Sequence, residues 1–353
     1  MPHKRTLLVA GSLAAALTLA ACGDDSGDST GSGTNADAGD DTAAAGGDTD
    51  GAFPVTITHA FGETTIEEQP ERVASVAWSN HEVPIALGVV PVGMSEAAWG
   101  DDDGNGVLPW VEDALAELDA ETPVLFDEAD GIDFEAVADT DPDVILAAYS
   151  GLTQEEYDTL SQIAPVVAFP ETAWNTTMDE MIQLNSQALG MAEEGEELIA
   201  DLDQQIADSL EAYPELEGQN AVFAYLDPND LSQIGFYTTH DPRAAFLEDL
   251  GMGTPQVVSD ISADSEAFYE TVSAENSDQF DDADIFITYG DEAMLDTIQN
   301  DPLLSQIPAV EAGQIVILQD STPLAASTNP SPLSIGWGTQ DYVELLDAAV
   351  TGR

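Results

Sequence analysis

The sequence predicts an α/β fold of two lobes, each built on a mostly parallel sheet, joined by one long helix. Three observations predict it. From Phe53 onward, short apolar β-rich runs alternate with amphipathic helical stretches, the rhythm of an α/β chain. The runs form two sets, one before about residue 175 and one after about residue 214. Between the sets, Thr177 to Leu210 reads as helix throughout, opened by a capping box of Thr177 with Glu180 and closed by Pro214 and Gly218.

Residues 1–22 read as an export signal. His3, Lys4 and Arg5 form a basic start, and Thr6 to Ala21 is an apolar stretch ending in small residues. It is too short and Ala-rich for a spanning helix, which needs about 20 apolar residues. Leu19-Ala20-Ala21-Cys22 resembles the bacterial lipobox, whose Cys becomes the new N-terminus and carries lipid. Cys22 is thus the expected lipid-attachment site, and the mature chain is expected outside the cytoplasm, touching the cell membrane only through its anchor. Cys22 is also the only cysteine, which excludes an internal disulfide and a cysteine metal cluster. Residues 23–52, nearly all Gly, Asp, Ser, Thr and Ala with no aromatic, cannot offset the entropy of ordering and read as an acidic, disordered tether.

In the N-lobe, residues 53–175, strands are expected at Val73–Ala77, Val144–Ala148 and Val166–Ala168, with helices near Glu82–Leu87, Phe134–Ala138 and Gln154–Gln162. Residues 176–213 form the linking helix; at about 1.5 Å per residue, one of that length spans a whole domain. In the C-lobe, residues 214–353, strands are expected at Ala221–Leu226, Ile285–Thr288 and Ile315–Leu318, with helices near Pro242–Leu250 and Gln340–Ala349.

The net charge of −64 counts Lys4 and Arg5; without these two it is −66, and the remaining strong cations are Arg72, Arg243 and Arg353. Phosphate binding needs clustered Lys and Arg, so nucleic acid is excluded as a partner. The acidity reads as a solvated surface adapted to high salt, where screening relieves self-repulsion.

Several stretches align in order with one family. Phe61-Gly62-Glu63-Thr64-Thr65-Ile66, Pro70-Glu71-Arg72-Val73, Ala86-Leu87-Gly88-Val89 and Pro91-Val92-Gly93 resemble the opening of iron-siderophore substrate-binding proteins of ABC importers, the helical-backbone class III binding proteins. Later pieces are similar too: Asp141-Pro142-Asp143-Val144-Ile145-Leu146, the Leu160–Val167 run, the Asp241–Gly251 run and Pro332-Leu333-Ser334. The resemblance implies a ligand cleft between the lobes, a small hinge motion, and capture of a ferric siderophore for delivery to a membrane ABC permease. It implies a monomer that is no enzyme, with no cofactor or metal of its own, since the chelate holds the iron. It also implies docking on the permease through one carboxylate per lobe, Glu135 and Glu275, the alternative being that each is merely an acidic residue favoured in a helix's first turn.

Loops after strand ends face the cleft of an open α/β sheet, and here they are aromatic. Trp78, Trp99, Tyr149, Trp174 and Tyr289 each follow a strand or apolar run, Trp337 sits in the C-terminal Pro/Ser-rich segment, and Tyr225 and Tyr237 could add hydroxyl donors. Such rings give apolar walls and cation–π faces for a bulky chelate, though each could instead cap a core. Arg243 either reaches an anionic ligand oxygen, as the family position implies, or forms an ion pair with a nearby Asp; Arg72 is expected to be structural. Binders of highly anionic chelates use several cations in the cleft, so a neutral or cationic ferric hydroxamate is expected. Cobalamin and haem suit the same fold. A bare metal receptor would need converging ligands, yet His59, His81 and His240 lie in separate motifs. A carboxylate-dependent exported hydrolase is the remaining alternative, but the folded part has no Gly-x-Ser-x-Gly elbow, His-Glu-x-x-His or phosphate loop.

Overall fold

The computed structural model describes residues 53–352. The export signal, Cys22, the tether and Arg353 lie outside the described residues. The chain begins with an antiparallel hairpin, β1 (Val55–His59) and β2 (Gly62–Ile66), paired from Val55–Ile66 to His59–Gly62. Its alternation buries Ile57, His59, Thr64 and Ile66 on one face.

The N-lobe sheet holds β3 (Val73–Ser75), β4 (Gly93–Ser95), β5 (Val124–Phe126), β6 (Val144–Ala147) and β7 (Val166–Ala168) in the order β5-β4-β3-β6-β7, all parallel. Strands β3, β6 and β7 are buried at every residue, the condition of a sheet covered on both faces.

The C-lobe sheet holds β8 (Ala221–Asp227), β9 (Asp230–Tyr237), β10 (Tyr269–Ser273), β11 (Ile285–Gly290) and β12 (Ile315–Gln319) in the order β10-β9-β8-β11-β12. Strands β8, β11 and β12 are parallel, whereas β9 runs antiparallel to both β8 and β10. The expected mostly parallel sheet is therefore a mixed one here. Asp227 pairs with Asp230, and the intervening Pro228-Asn229 turn is too short for a parallel crossover.

The linking segment also differs from expectation. It is not one helix but two, Met178–Leu189 and Ala192–Leu210, separated at Gly190, which adopts φ 70° in the left-handed region. A Cβ on Gly195 would stand 2.1 Å from Ser186 Oγ and 3.7 Å from Ile182 Cγ2. Further along, Asp203 and Ile206 line a small cavity together with Thr177, Met178 and Asp179. The second helix thus folds back along the first, and the glycine permits their close approach.

A continuous apolar core joins Leu146 and Val167 of the N-lobe, Ile182, Leu202 and Ile206 of the helical pair, and Phe223, Phe246 and Tyr342 of the C-lobe. The last helix runs Ser334–Thr351, starting before the expected Gln340. The segment leading into it returns to the N-lobe, where the Leu333 N–H donates to Glu82 Oε2 at 3.0 Å. No described helix is long and apolar enough to cross a membrane.

Candidate functional site

The C-terminal ends of the N-lobe strands open into a cavity of about 590 Å³, walled by Trp78, Trp99 and Trp174 and edged by Glu96, Asp127, Glu128 and Glu156. The loop after β3 that carries Trp78 is tightly held. Ala77 and Ser79 both sit at φ 60°, a region costly for residues with a Cβ. Fully buried Asn80 fixes the loop: its Nδ2 donates to the carbonyls of Val76 and Tyr149, both at 2.9 Å, and its Oδ1 accepts the Tyr149 N–H at 3.0 Å. One amide thereby ties the loop after β3 to the loop after β6. Trp174 lies edge-on to Tyr149, with ring centroids 5.3 Å apart. Gly151 makes room for it, since a Cβ there would stand 2.1 Å from the indole nitrogen.

A second chamber of about 310 Å³ shares Trp78 and Trp174 and adds Tyr149, Tyr237, Arg243, Phe268 and Asn329. Asn329 Nδ2 donates to the Tyr149 hydroxyl oxygen at 3.3 Å, which leaves the phenol proton free for another acceptor. Arg243 projects from the first turn of helix Pro242–Asp249, whose N-cap is Asp241. The guanidinium donates from Nε and Nη2 to Asp241 Oδ1 and Oδ2 at 2.7 and 2.6 Å, and lies 3.9 Å over the Tyr237 ring. Of the two sequence alternatives, the ion pair is the one observed, and the residue also lines the chamber. Burial works against its charge, but the bonds to Asp241 and that carboxylate's charge prevail and hold it protonated.

The cleft carries little positive potential. Asp241 neutralises Arg243, while burial pushes the Glu128 carboxyl up to about 7 against the opposing hydrogen bonds from Ala77 N–H and Ser95 Oγ. Burial also raises the phenols of Tyr149 and Tyr237, so both are neutral donors at ordinary pH. Among the described residues, no group of three or more His, Cys, Asp and Glu is arranged to hold a metal.

Trp78, Trp99, Tyr149, Trp174, Tyr237 and Arg243 therefore line the two chambers. Tyr289 is buried behind them, edge-on to Trp99 at 5.3 Å. Tyr225 is 50% exposed and faces a third cavity, of about 510 Å³, at the strand ends of the C-lobe. Trp337 stands not in a loop but in the last helix, against Trp110 at 5.2 Å and outside these cavities. Glu135 and Glu275 are exposed, each in the first turn of a short helical segment. Arg72 donates to the carbonyls of Thr140 and Asp141 at the rim of the N-lobe sheet. Sequence reasoning missed Asn80, Glu128, Phe268 and Asn329. Only Asn80 had an available signal, its place two residues beyond Trp78 in the same strand-end loop.

The model of one protein family, described as periplasmic binding protein, matches residues 73–322. The chain belongs to the periplasmic binding protein family. Within that family, PiaA of Streptococcus pneumoniae TIGR4, solved in complex with ferrichrome, is 44% identical; the match covers 84% of this chain and 99% of that one, with a TM-score of 0.81. The probable siderophore-binding lipoprotein YfiY of Bacillus subtilis is 26% identical over 243 residues, 63% of this chain and 70% of that protein. The ferric enterobactin-binding periplasmic protein FepB of Escherichia coli is 25% identical over 281 residues, 76% of this chain and 85% of that protein. The TM-score of 0.81 shows that this chain, with its two α/β lobes, one sheet parallel and the other mixed, shares the fold of PiaA.

Proposed function

We propose that this chain is the extracytoplasmic receptor of an ABC importer, capturing a ferric siderophore of neutral or cationic hydroxamate type and handing it to a membrane permease. The observation that carries the reading is the charge of the cleft. Among the described residues its one cation, Arg243, is neutralised by Asp241, and four carboxyl groups edge the larger chamber. An uncharged or cationic chelate meets aromatic faces and phenol donors there, whereas a polyanionic one meets repulsion. The likeness to PiaA, solved with the hydroxamate ferrichrome, supports the same class.

Titration by intrinsic tryptophan fluorescence tests the reading. Tight binding of ferrichrome or ferrioxamine and weak binding of ferric enterobactin and citrate is the expected order; the reverse order overturns it. In the same reading, Cys22 carries the lipid anchor, residues 23–52 give reach, and Glu135 and Glu275 meet basic groups on the permease. Replacing both glutamates with Ala should lower chelate uptake at least tenfold, as expected for paired charge contacts, while leaving solution affinity for the chelate unchanged.

A further inference from the structure

Trp99 belongs to the N-lobe, yet its side chain reaches the C-lobe. Its indole N–H donates to Asp320 Oδ1 at 3.1 Å, and its ring meets Tyr289 edge-on at 5.3 Å. Asp320 and Tyr289 both line the third cavity, of about 510 Å³, while Trp99 itself lines the 590 Å³ chamber. The indole on one side, with Tyr289 and Asp320 touching it on the other, therefore stands between two spaces of similar size. The backbone beside it is fixed: Gly100 has φ 86°, and a Cβ there would stand 2.4 Å from Ala326 Cβ. The loop thus rests directly on the C-terminal segment, and movement of the partition falls to the Trp99 side chain.

We propose that Trp99, latched to Asp320, sets the size limit of the cargo, and that the cavity behind it is an annex open to a pendant group of the chelate once the latch is released. The proposal rests on the hydroxamate reading above and adds to it the residue that decides how bulky a substituent the chelate can carry. Asp320 itself lines neither of the first two chambers, so replacing it cuts the latch while every residue of their walls is kept. An indole-to-carboxylate hydrogen bond is charge-assisted and is lost as a unit when either partner is changed.

The test compares two forms of one chelate, ferrioxamine B acylated on its free amine with an acetyl or a naphthoyl group. Both are equal in charge and iron centre and differ in bulk. The wild-type protein is expected to bind the acetyl form at least about tenfold more tightly than the naphthoyl form. Asp320→Ala should shrink that ratio to near one by strengthening naphthoyl binding, with acetyl affinity kept within a few-fold. Trp99→Phe, which removes the same hydrogen bond from the other side, should reduce the ratio likewise, and the double variant should reduce it no further. A ratio unchanged in both folded variants, with folding checked by thermal midpoint, overturns the latch and leaves the hydroxamate reading standing. Failure of the wild-type protein to bind either form overturns both.

Discussion

At the scale of single residues, the cleft depends as much on buried amides as on the aromatic rings. Asn80 donates to the Val76 carbonyl, exchanges hydrogen bonds with the Tyr149 backbone and accepts another from Asn185 at 3.3 Å. Asn80→Ala would leave several buried groups unpaired, a loss of roughly 3 kcal/mol. Urea unfolding should register it, together with weaker chelate binding as the Trp78 loop relaxes. Gly151→Ala addresses the site more narrowly. The added methyl displaces the Trp174 indole, so affinity should fall about tenfold, with a loss of stability near the 1–3 kcal/mol usual for overpacking. The rings were legible in the sequence because position alone, just past a β-rich run, aims a side chain at the mouth of a parallel sheet. Glu128 and Asn329 were not, and Asn80 was marked only by its place beyond Trp78, since their roles arise from partners distant in sequence: Asn80 meets Tyr149, and Asn329 meets that same tyrosine from the other end of the chain.

At the scale of elements, one carboxyl joins three helices. Glu82 opens the helix Glu82–Ala86, receives the Trp110 Nε1–H from helix Pro109–Glu117 at 2.8 Å, and receives the Leu333 N–H at the start of the last helix. Burial lifts its pKa to about 7, as it does for Glu128, and lifts Asp249 to about 6. A carboxyl that is easier to protonate folded than unfolded binds protons on folding, so its contribution is full below the unfolded value near 4.5 and is lost as pH rises through 7. His81, lowered to about 4 by burial, acts oppositely: its contribution is lost as pH falls from 6.5 through 4. With the raised carboxyls outnumbering the histidine, the thermal midpoint should climb as pH falls from about 8 to about 5, and Glu82→Gln should flatten the climb. The strands β3, β6, β7, β8, β11 and β12 were legible because burial on both faces leaves unbroken apolar runs. Strands β4 and β5 are three residues each, and β4 contains a glycine that Phe126 requires, so their patterns carried no signal. The reversal at Gly190 was hidden because a lone glycine is tolerated inside a helical pattern, and only the packing of Gly195 on Ser186 reveals the fold-back.

At the scale of the whole molecule, a net charge of −64 on 353 residues makes self-repulsion a global term. Raising sodium chloride from about 0.1 M to 1 M shortens the screening length from about 10 to 3 Å. The thermal midpoint should therefore rise steadily with salt, and a flat response would remove the high-salt reading of the composition. The lobes are joined through the folded-back helices and again where the segment before the last helix returns to Tyr149 and Glu82. Asn175 adds a third tie, its Nδ2 donating to the Glu266 carbonyl at 2.9 Å. A body fastened at several points along its mouth behaves as a braced frame rather than a pair of jaws. Any rocking of one lobe on the other must break hydrogen bonds at the mouth itself, so the stiffness of this frame is set at its rim as well as at its spine.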